Sequence, residues 1–236
     1  MSRGHGNEVL GQSQNLVAPL PLCAVAESSG GVEPKRTILE NHGRTKMKII
    51  NSWAENQNWA KLCPGIGIIT LALLFLLSNV KEPIFWALIN IPLYLFHQTE
   101  EHYVPGGFKD FMNHVVFGLP EDQEKLTDIK IFWINILLVW VAFAIFGSLA
   151  FVNIGFGLVI IIFSIMNCML HIVQGIKLRR WNPGLVVASI QFVVSIYAAY
   201  FLTMHVLSHT AIWWASSIIF SILVHVVLFN IMKQTH

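Results

Sequence analysis

The sequence predicts an all-α, multi-pass transmembrane helical bundle of six spans with both termini cytoplasmic, and three observations carry that reading. The composition is 55% hydrophobic and only 12% charged, against roughly 25% charged in an average soluble domain. The apolar residues come in long blocks rather than at amphipathic spacing, and a soluble domain of this length could not bury so much apolar helix. Lipid as solvent removes that difficulty. Finally, Lys and Arg fall almost wholly on one side of the topology that the blocks imply.

Residues 1–50 differ from the rest. They are rich in Gly, Ser, Gln and Asn with scattered charges and no helical or strand period, and are expected to form a disordered tail. Ala24-Val25-Ala26 resembles a signal-peptide cleavage site, but its apolar stretch is short and broken by Pro19 and Pro21, which excludes it. Met47 leads straight into the first span and reads as an alternative start.

The six-span domain covers residues 51–236. Spans near 64–80, 131–149, 152–173, 184–203 and 211–231 are long apolar blocks, each near the roughly 20 residues that a 30 Å hydrocarbon core requires. The remaining block, Ile84 to Phe96, is too short alone. It crosses only if His97-Gln98-Thr99-Glu100-Glu101 continues the same helix, giving a span near 84–101.

Charge placement decides that it crosses. With six spans and a cytoplasmic N-terminus, eleven Lys and Arg flank the spans inside: Arg44, Lys46, Lys48, Lys61, Lys109, Lys125, Lys130, Lys177, Arg179, Arg180 and Lys233. Only Lys81 lies outside. If the short block fails to cross, four remain inside and eight lie outside, and the asymmetry is lost. The net charge of +2 gives no reason to expect nucleic acid as a partner. Membrane lipid, and a lipid or membrane-peptide substrate, are the expected partners, and the cell (plasma) membrane is the expected location. Cys23, Cys63 and Cys168 show no thiolate metal spacing, and an odd count argues against a disulfide framework.

Residues three and four apart share a helix face. His97, Glu100 and Glu101 therefore point together, with Asn90 on the same side, whereas His102 is expected to point elsewhere, at the interface or onto water. Ser164, Asn167, His171 and Gln174 make a second polar stripe, and Ser217, Ser221 and His225 a third. Under the six-span topology His97, His171 and His225 sit toward the cytoplasmic ends of their spans, and Asn135 and Gln191 also fall in the cytoplasmic half. A lone intramembrane Ser or Asn is ordinarily a helix contact worth about 0.6 kcal/mol, and a lone His near a helix end is ordinarily an interface residue. The pair Glu100-Glu101 is different, because two like charges at a membrane boundary need a cation, a shared proton or water.

One imidazole and two carboxylates on a face suit Zn²⁺ or non-haem Fe²⁺. The expected division is His97, one glutamate and His171 as ligands, with the other glutamate (Glu100 or Glu101) as catalytic base on a water. His225 is a further ligand candidate, and His114 is placed to approach from the inner loop. That loop opens with Pro105-Gly106-Gly107 and continues Phe108-Lys109-Asp110-Phe111-Met112. Its Phe and Met are expected to lie on the bilayer as a lid or an anchor.

The motif His97-x-x-Glu100-Glu101 resembles that of the HXXEE family, small multi-pass membrane proteins of unassigned activity. In that family further histidines lie on later helices, and His114 and His171 match those positions. The resemblance covers roughly residues 60 to 230 and implies a metal-dependent membrane enzyme without naming a substrate. Glutamate-dependent CAAX-type proteases fit less well, since they expect an Arg shortly after the pair where this chain has His102-Tyr103-Val104. The paired His-x-x-His-His boxes of membrane desaturases are absent, as is the thermolysin-like His-Glu-x-x-His. The function expected is a metal-dependent enzyme, most plausibly a hydrolase. The alternatives are a proton-coupled transporter using the same Glu/His cluster, or a non-catalytic membrane subunit.

Overall fold

A computed structural model describes residues 48–234. Among the described residues every regular element is helical and there is no strand. Almost all of the expected tail, residues 1–47, lies outside the described residues, and helix already begins at Lys48.

Five helical stretches are long and apolar enough to cross a membrane: Lys48–Leu77, Asp128–Ala150, Gly155–Leu178, Leu185–His205 and Thr210–Lys233. The first is broken at Asn56 and Gln57, whose φ values are 50° and 55°. Its straight apolar part is α1, Cys63–Leu77, which starts with Pro64 in its first turn and ends where Ser78 turns extended. Next come α2, Pro83–Leu88, and α3, Asn90–His102. Then follow α4 (Asp128–Ala150), α5 (Gly155–Leu178), α6 (Leu185–His205) and α7 (Thr210–Lys233). Residues 134–141 of α4 are π-helical.

α2 and α3 continue one another with an interruption at Ile89. Pro92 has no N–H to donate to the carbonyl four residues back, so the ladder loses a rung there. The bonds Ile89 N–H to Phe85 O (3.0 Å) and Leu93 N–H to Ile89 O (3.4 Å) carry the chain across. This is why the second block does not form a single long helix like the other five.

α5 is the centre of the bundle. Over its most apolar window 56% of residues are buried, against 22–33% for the other four long stretches, and it packs against α2, α3, α4, α6 and α7. Gly157 makes the contact with α2 possible, because a Cβ there would lie 2.4 Å from the Cβ of Ala87 and 2.9 Å from its Cα. The other helices turn apolar residues outward: Leu76, Leu77, Val193 and Ile212 are 79%, 81%, 68% and 66% exposed. The polar residues Asn90, His97, Gln98 and Gln191 are fully enclosed. That inversion of the water-soluble pattern is the one lipid demands.

Residues 103–127 cap one end of the bundle. Asn113 holds this loop: its Oδ1 accepts from Lys125 N–H (3.0 Å) and Leu126 N–H (2.9 Å), and its Nδ2 donates to Leu126 O (2.9 Å). Phe111 and Met112 are buried, packed in a cluster with Trp59, Leu95, Ile131 and Met232. They turn into the bundle instead of lying on the bilayer as expected, because the helical turn after Gly107 (φ 94°) points them inward. Lys109 pairs with Glu124 (3.2 Å) and Asp128 (3.4 Å). Burial disfavours its charge, but the two carboxylates outweigh that and its pKa rises above the usual lysine value.

Gly157→Ala should force α2 and α5 apart and lower stability by about 1–3 kcal/mol, the usual cost of overpacking. Thermal unfolding in detergent, followed by tryptophan fluorescence, checks this; an unchanged Tm would refute the close contact.

Candidate metal centre

The C-terminal turns of α3, the end of α5 and the start of α6 meet at the loop-capped end of the bundle. There His97, Glu101 and His171, all buried, each offer one ligand atom, and those atoms lie within 4.8 Å of one another. Nε2 of His97 is 3.5 Å from Glu101 Oε2, and Nε2 of His171 is 3.6 Å from Glu101 Oε1. In tetrahedral zinc sites Zn–N and Zn–O bonds run roughly 2.0–2.2 Å, which sets ligand atoms about 3.3–3.6 Å apart.

The other ring nitrogens settle which atoms are free. Nδ1 of His97 lies 3.1 Å from Gly184 O, and a carbonyl only accepts, so Nδ1 carries the proton and Nε2 keeps its lone pair. Nδ1 of His171 lies 3.0 Å from Asn182 Oδ1. Asn182 Nδ2 donates to the backbone O of His171 at 2.9 Å, which orients the amide with its oxygen toward the ring. His171 therefore also presents a bare Nε2. Holding the outer N–H of each imidazole with a carbonyl is the usual way of aiming a metal-ligating histidine. Two lone pairs facing a carboxylate repel unless a cation or proton lies between them. Asn167 Nδ2 sits 3.1 Å from His97 Nε2, and its half-buried side chain borders the adjoining cavity.

His102 is part of this site, contrary to the expectation that it points to the interface. It is 7% exposed, and its Nε2 lies 3.2 Å from Glu101 Oε2. Its ring packs on Trp59 at 5.1 Å and Phe108 at 5.2 Å. Adjacent helical positions diverge by about 100°, but α3 ends at His102 and the overlying Trp59 and Phe108 fold the ring back. Nε2–H donating to Glu101 fixes the carboxylate. Farther out, Asn135 Nδ2 donates to Ile131 O at 2.9 Å, Gln98 Nε2 donates to Asn135 Oδ1 at 2.7 Å, and Trp140 donates to Gln98 Oε1 at 2.7 Å.

Glu100 is not among the gathered ligand atoms. Its Oε2 accepts from Val187 N–H at 2.6 Å, and its Oε1 accepts from Val186 N–H at 3.1 Å and the Trp181 indole at 3.4 Å. These N–H groups open α6, whose own cap residue, Gly184, has no side chain. Glu100 supplies the cap from another helix, where the positive end of the helix dipole favours a carboxylate. The expected division into one ligand glutamate and one base is thus replaced by a glutamate in the site and a glutamate beneath α6. His114 also stays apart, with Nδ1 donating to Leu119 O at 3.1 Å inside its own loop. His225 lies outside the ligand group but borders the same cavity as Glu101 and His171. Gln191 and Ser195 turn away to Asn90, donating to its Oδ1 at 3.2 Å and 2.6 Å, so the polar residues of similar depth form two clusters.

Residues 88–199 match the family model described as a protein of unknown function with HXXEE motif. These residues form an HXXEE-motif domain. The domain holds His97, Glu100, Glu101, His171 and both carbonyls that orient the histidines, while α1 and α7 with His225 flank it. No curated protein and no solved structure matches the chain.

Asn182 and Gly184 went unread in the sequence, although Asn182-Pro183-Gly184 is a clear turn signal. Gly184 has φ 91°, and a Cβ there would lie 2.6 Å from His97 Cε1 and 3.2 Å from His171 Cε1. The glycine is required twice over, by backbone conformation and by contact with both ligand rings.

Glu100→Ala should leave the opening N–H groups of α6 without an acceptor, costing at least about 2 kcal/mol at roughly 1–3 per buried orphan. Glu100→Gln, which keeps an acceptor, should cost less. The two Tm values in detergent test the order; equal values for both variants and the wild type would refute the capping role.

Proposed function

We propose that this chain is a membrane-embedded metal-dependent hydrolase, with zinc or iron held by His97, Glu101 and His171. The observation that carries the reading is the pair of Nε2 lone pairs facing one buried carboxylate, each histidine backed by a carbonyl, with Asn167 Nδ2 the donor now on that of His97. A cavity of about 290 Å³ adjoins the group, bordered by Glu101, His102 and His171 and otherwise mainly by apolar side chains. A bound zinc or iron would supply Lewis acidity, polarising a substrate carbonyl and acidifying a water.

The protein's own contribution is positional. Gly184 O and Asn182 aim the two imidazoles, and His102 holds Glu101. Phe108 and Met112, over the cavity, keep bulk water out. The reaction class is hydrolysis of an acyl ester or amide: the acyl carbon gains hydroxyl from water and the leaving oxygen or nitrogen gains the proton. His102, beside Glu101 at the cavity wall, is the group placed to pass that proton.

The same contacts favour a second reading. Glu101 within 3.2–3.6 Å of three imidazoles is also a proton relay, the element a proton-coupled transporter needs.

Six spans with both ends cytoplasmic belong to the proposal. The interrupted α2–α3 stretch, residues 83–102, is 20 residues long, about 30 Å at 1.5 Å per residue, enough to cross. Short turns join α1 to α2, α4 to α5, α5 to α6 and α6 to α7, as antiparallel neighbours require.

Purified wild-type protein should contain about one zinc or iron per chain by inductively coupled plasma mass spectrometry. His171→Ala and Glu101→Ala should lose it and Glu100→Gln should keep it. Wild type that holds neither metal after reconstitution would end the metalloenzyme reading and leave the proton relay. For topology, a membrane-impermeant maleimide on intact cells should label Lys81→Cys but not Asp122→Cys in a Cys23→Ser background. Equal labelling of the two would overturn the six-span arrangement.

A further inference from the structure

A residue that the proposed chemistry does not use borders the cavity beside the metal group. His225, on α7, is 6% exposed. Its Nδ1 lies 2.8 Å from Ser221 O, so Nδ1 carries the proton and Nε2 is an acceptor. The ring leans on Phe163 at 5.1 Å. Nε2, the atom turned away from its own helix, is buried with no hydrogen-bond partner, and the residue borders the cavity. A buried acceptor left unpaired costs about 1–3 kcal/mol, so something that donates is expected there.

The walls say what kind of molecule brings the donor. Ile134, Val139, Leu170, Val173, Leu228 and Phe229 face the space. An extended peptide would bring backbone N–H and C=O groups that such walls cannot satisfy. A single hydrocarbon chain brings no such groups. α4 and α7 touch at Phe146 and Phe220, whose ring centroids are 5.0 Å apart, and farther along both line the cavity. The space is bordered by α4, α5 and α7 together. Lys177 and Gln174, at the end of α5, add a polar margin.

We infer that the cavity takes a single-chain lipid bearing a hydroxyl, with the hydroxyl donating to His225 Nε2 and the acyl chain lying between α4 and α7. This deepens the hydrolase reading by choosing lipid over peptide, and it rests on that reading for the reaction but not for the binding. His225 acts as a substrate-binding and specificity-determining residue instead of the metal ligand its sequence position suggests. It also lies outside the matched HXXEE region, so the ligand contact comes from a helix that flanks the metal-holding domain.

The test is a native mass spectrometry titration of the full chain in detergent with 1-palmitoylglycerol, which carries hydroxyls, and methyl palmitate, which carries none. Wild type should bind 1-palmitoylglycerol about tenfold more tightly than methyl palmitate, the scale of one buried hydrogen bond. His225→Phe should abolish that preference while keeping any metal that wild type holds, and His225→Gln should restore part of it. Ile134→Trp, which fills the cavity from α4, should expel both lipids and keeps the inference testable if His225→Phe does not fold. The inference is overturned by equal wild-type affinity for the two lipids, by an unchanged preference in His225→Phe, by binding that survives Ile134→Trp, or by metal loss in His225→Phe. A metal-free wild type that still prefers 1-palmitoylglycerol would sink the hydrolase reading and leave this one standing.

Discussion

A carboxylate drawn into an apolar bundle must find donors or positive charge close by, and the group around Glu101 is built to meet that need. His102 donates to it, and His97 and His171 face it with their Nε2 atoms. Each imidazole then needs an acceptor for its other nitrogen, which Gly184 O and Asn182 Oδ1 provide. Those acceptors sit in the turn between α5 and α6, so that turn has to lie against α3. Glu100 pins it there by capping the first N–H groups of α6. The motif thus uses its two glutamates for two purposes, one facing the site and one fastening the helix that orients it.

The bundle makes this affordable by placing α5 at the centre. Gly157 lets α2 approach, and residues 158–163, apolar throughout, form the packed core from which the polar half of α5 projects toward the loops. Apolar side chains on the outer helices face lipid, and most enclosed polar residues have a partner. The exceptions are Asn90 Nδ2, His102 Nδ1, Gln191 Oε1, His225 Nε2 and the hydroxyls of Ser164, Ser217 and Ser221. Asn90 and Gln191 lie within a cluster closed by Ser195. His225, like His102, borders the cavity. An unpaired atom beside a cavity points to a ligand, whereas an unpaired atom inside a closed cluster does not.

Much of the fold was legible in the sequence because hydrocarbon imposes simple rules. A membrane span needs length and apolarity, and the blocks at 131–149, 184–203 and 211–231 agree within a few residues with α4, α6 and α7. α5 runs on to Leu178, beyond the apolar block, because its last polar residues face a site rather than lipid. Helical periodicity likewise placed His97 with Glu101 and aligned Asn167 with His171. What periodicity cannot do is say which of two neighbouring carboxylates meets another helix, since both Glu100 and Glu101 lie near the same face.

The sequence by itself determined an all-helical chain with membrane-length apolar segments and the residue types of a His/Glu site, because these follow from local composition and spacing. Only the tertiary structure decided that Glu101 is the glutamate gathered with His97 and His171, that Glu100 caps α6, that His102 turns inward, and that His114 stays in its loop. Each of those outcomes depends on a contact between segments tens of residues apart. The Asn182-Pro183-Gly184 turn carries the physical reason: its backbone carbonyl and its missing Cβ do the aiming, and neither is a side-chain property that a motif can display.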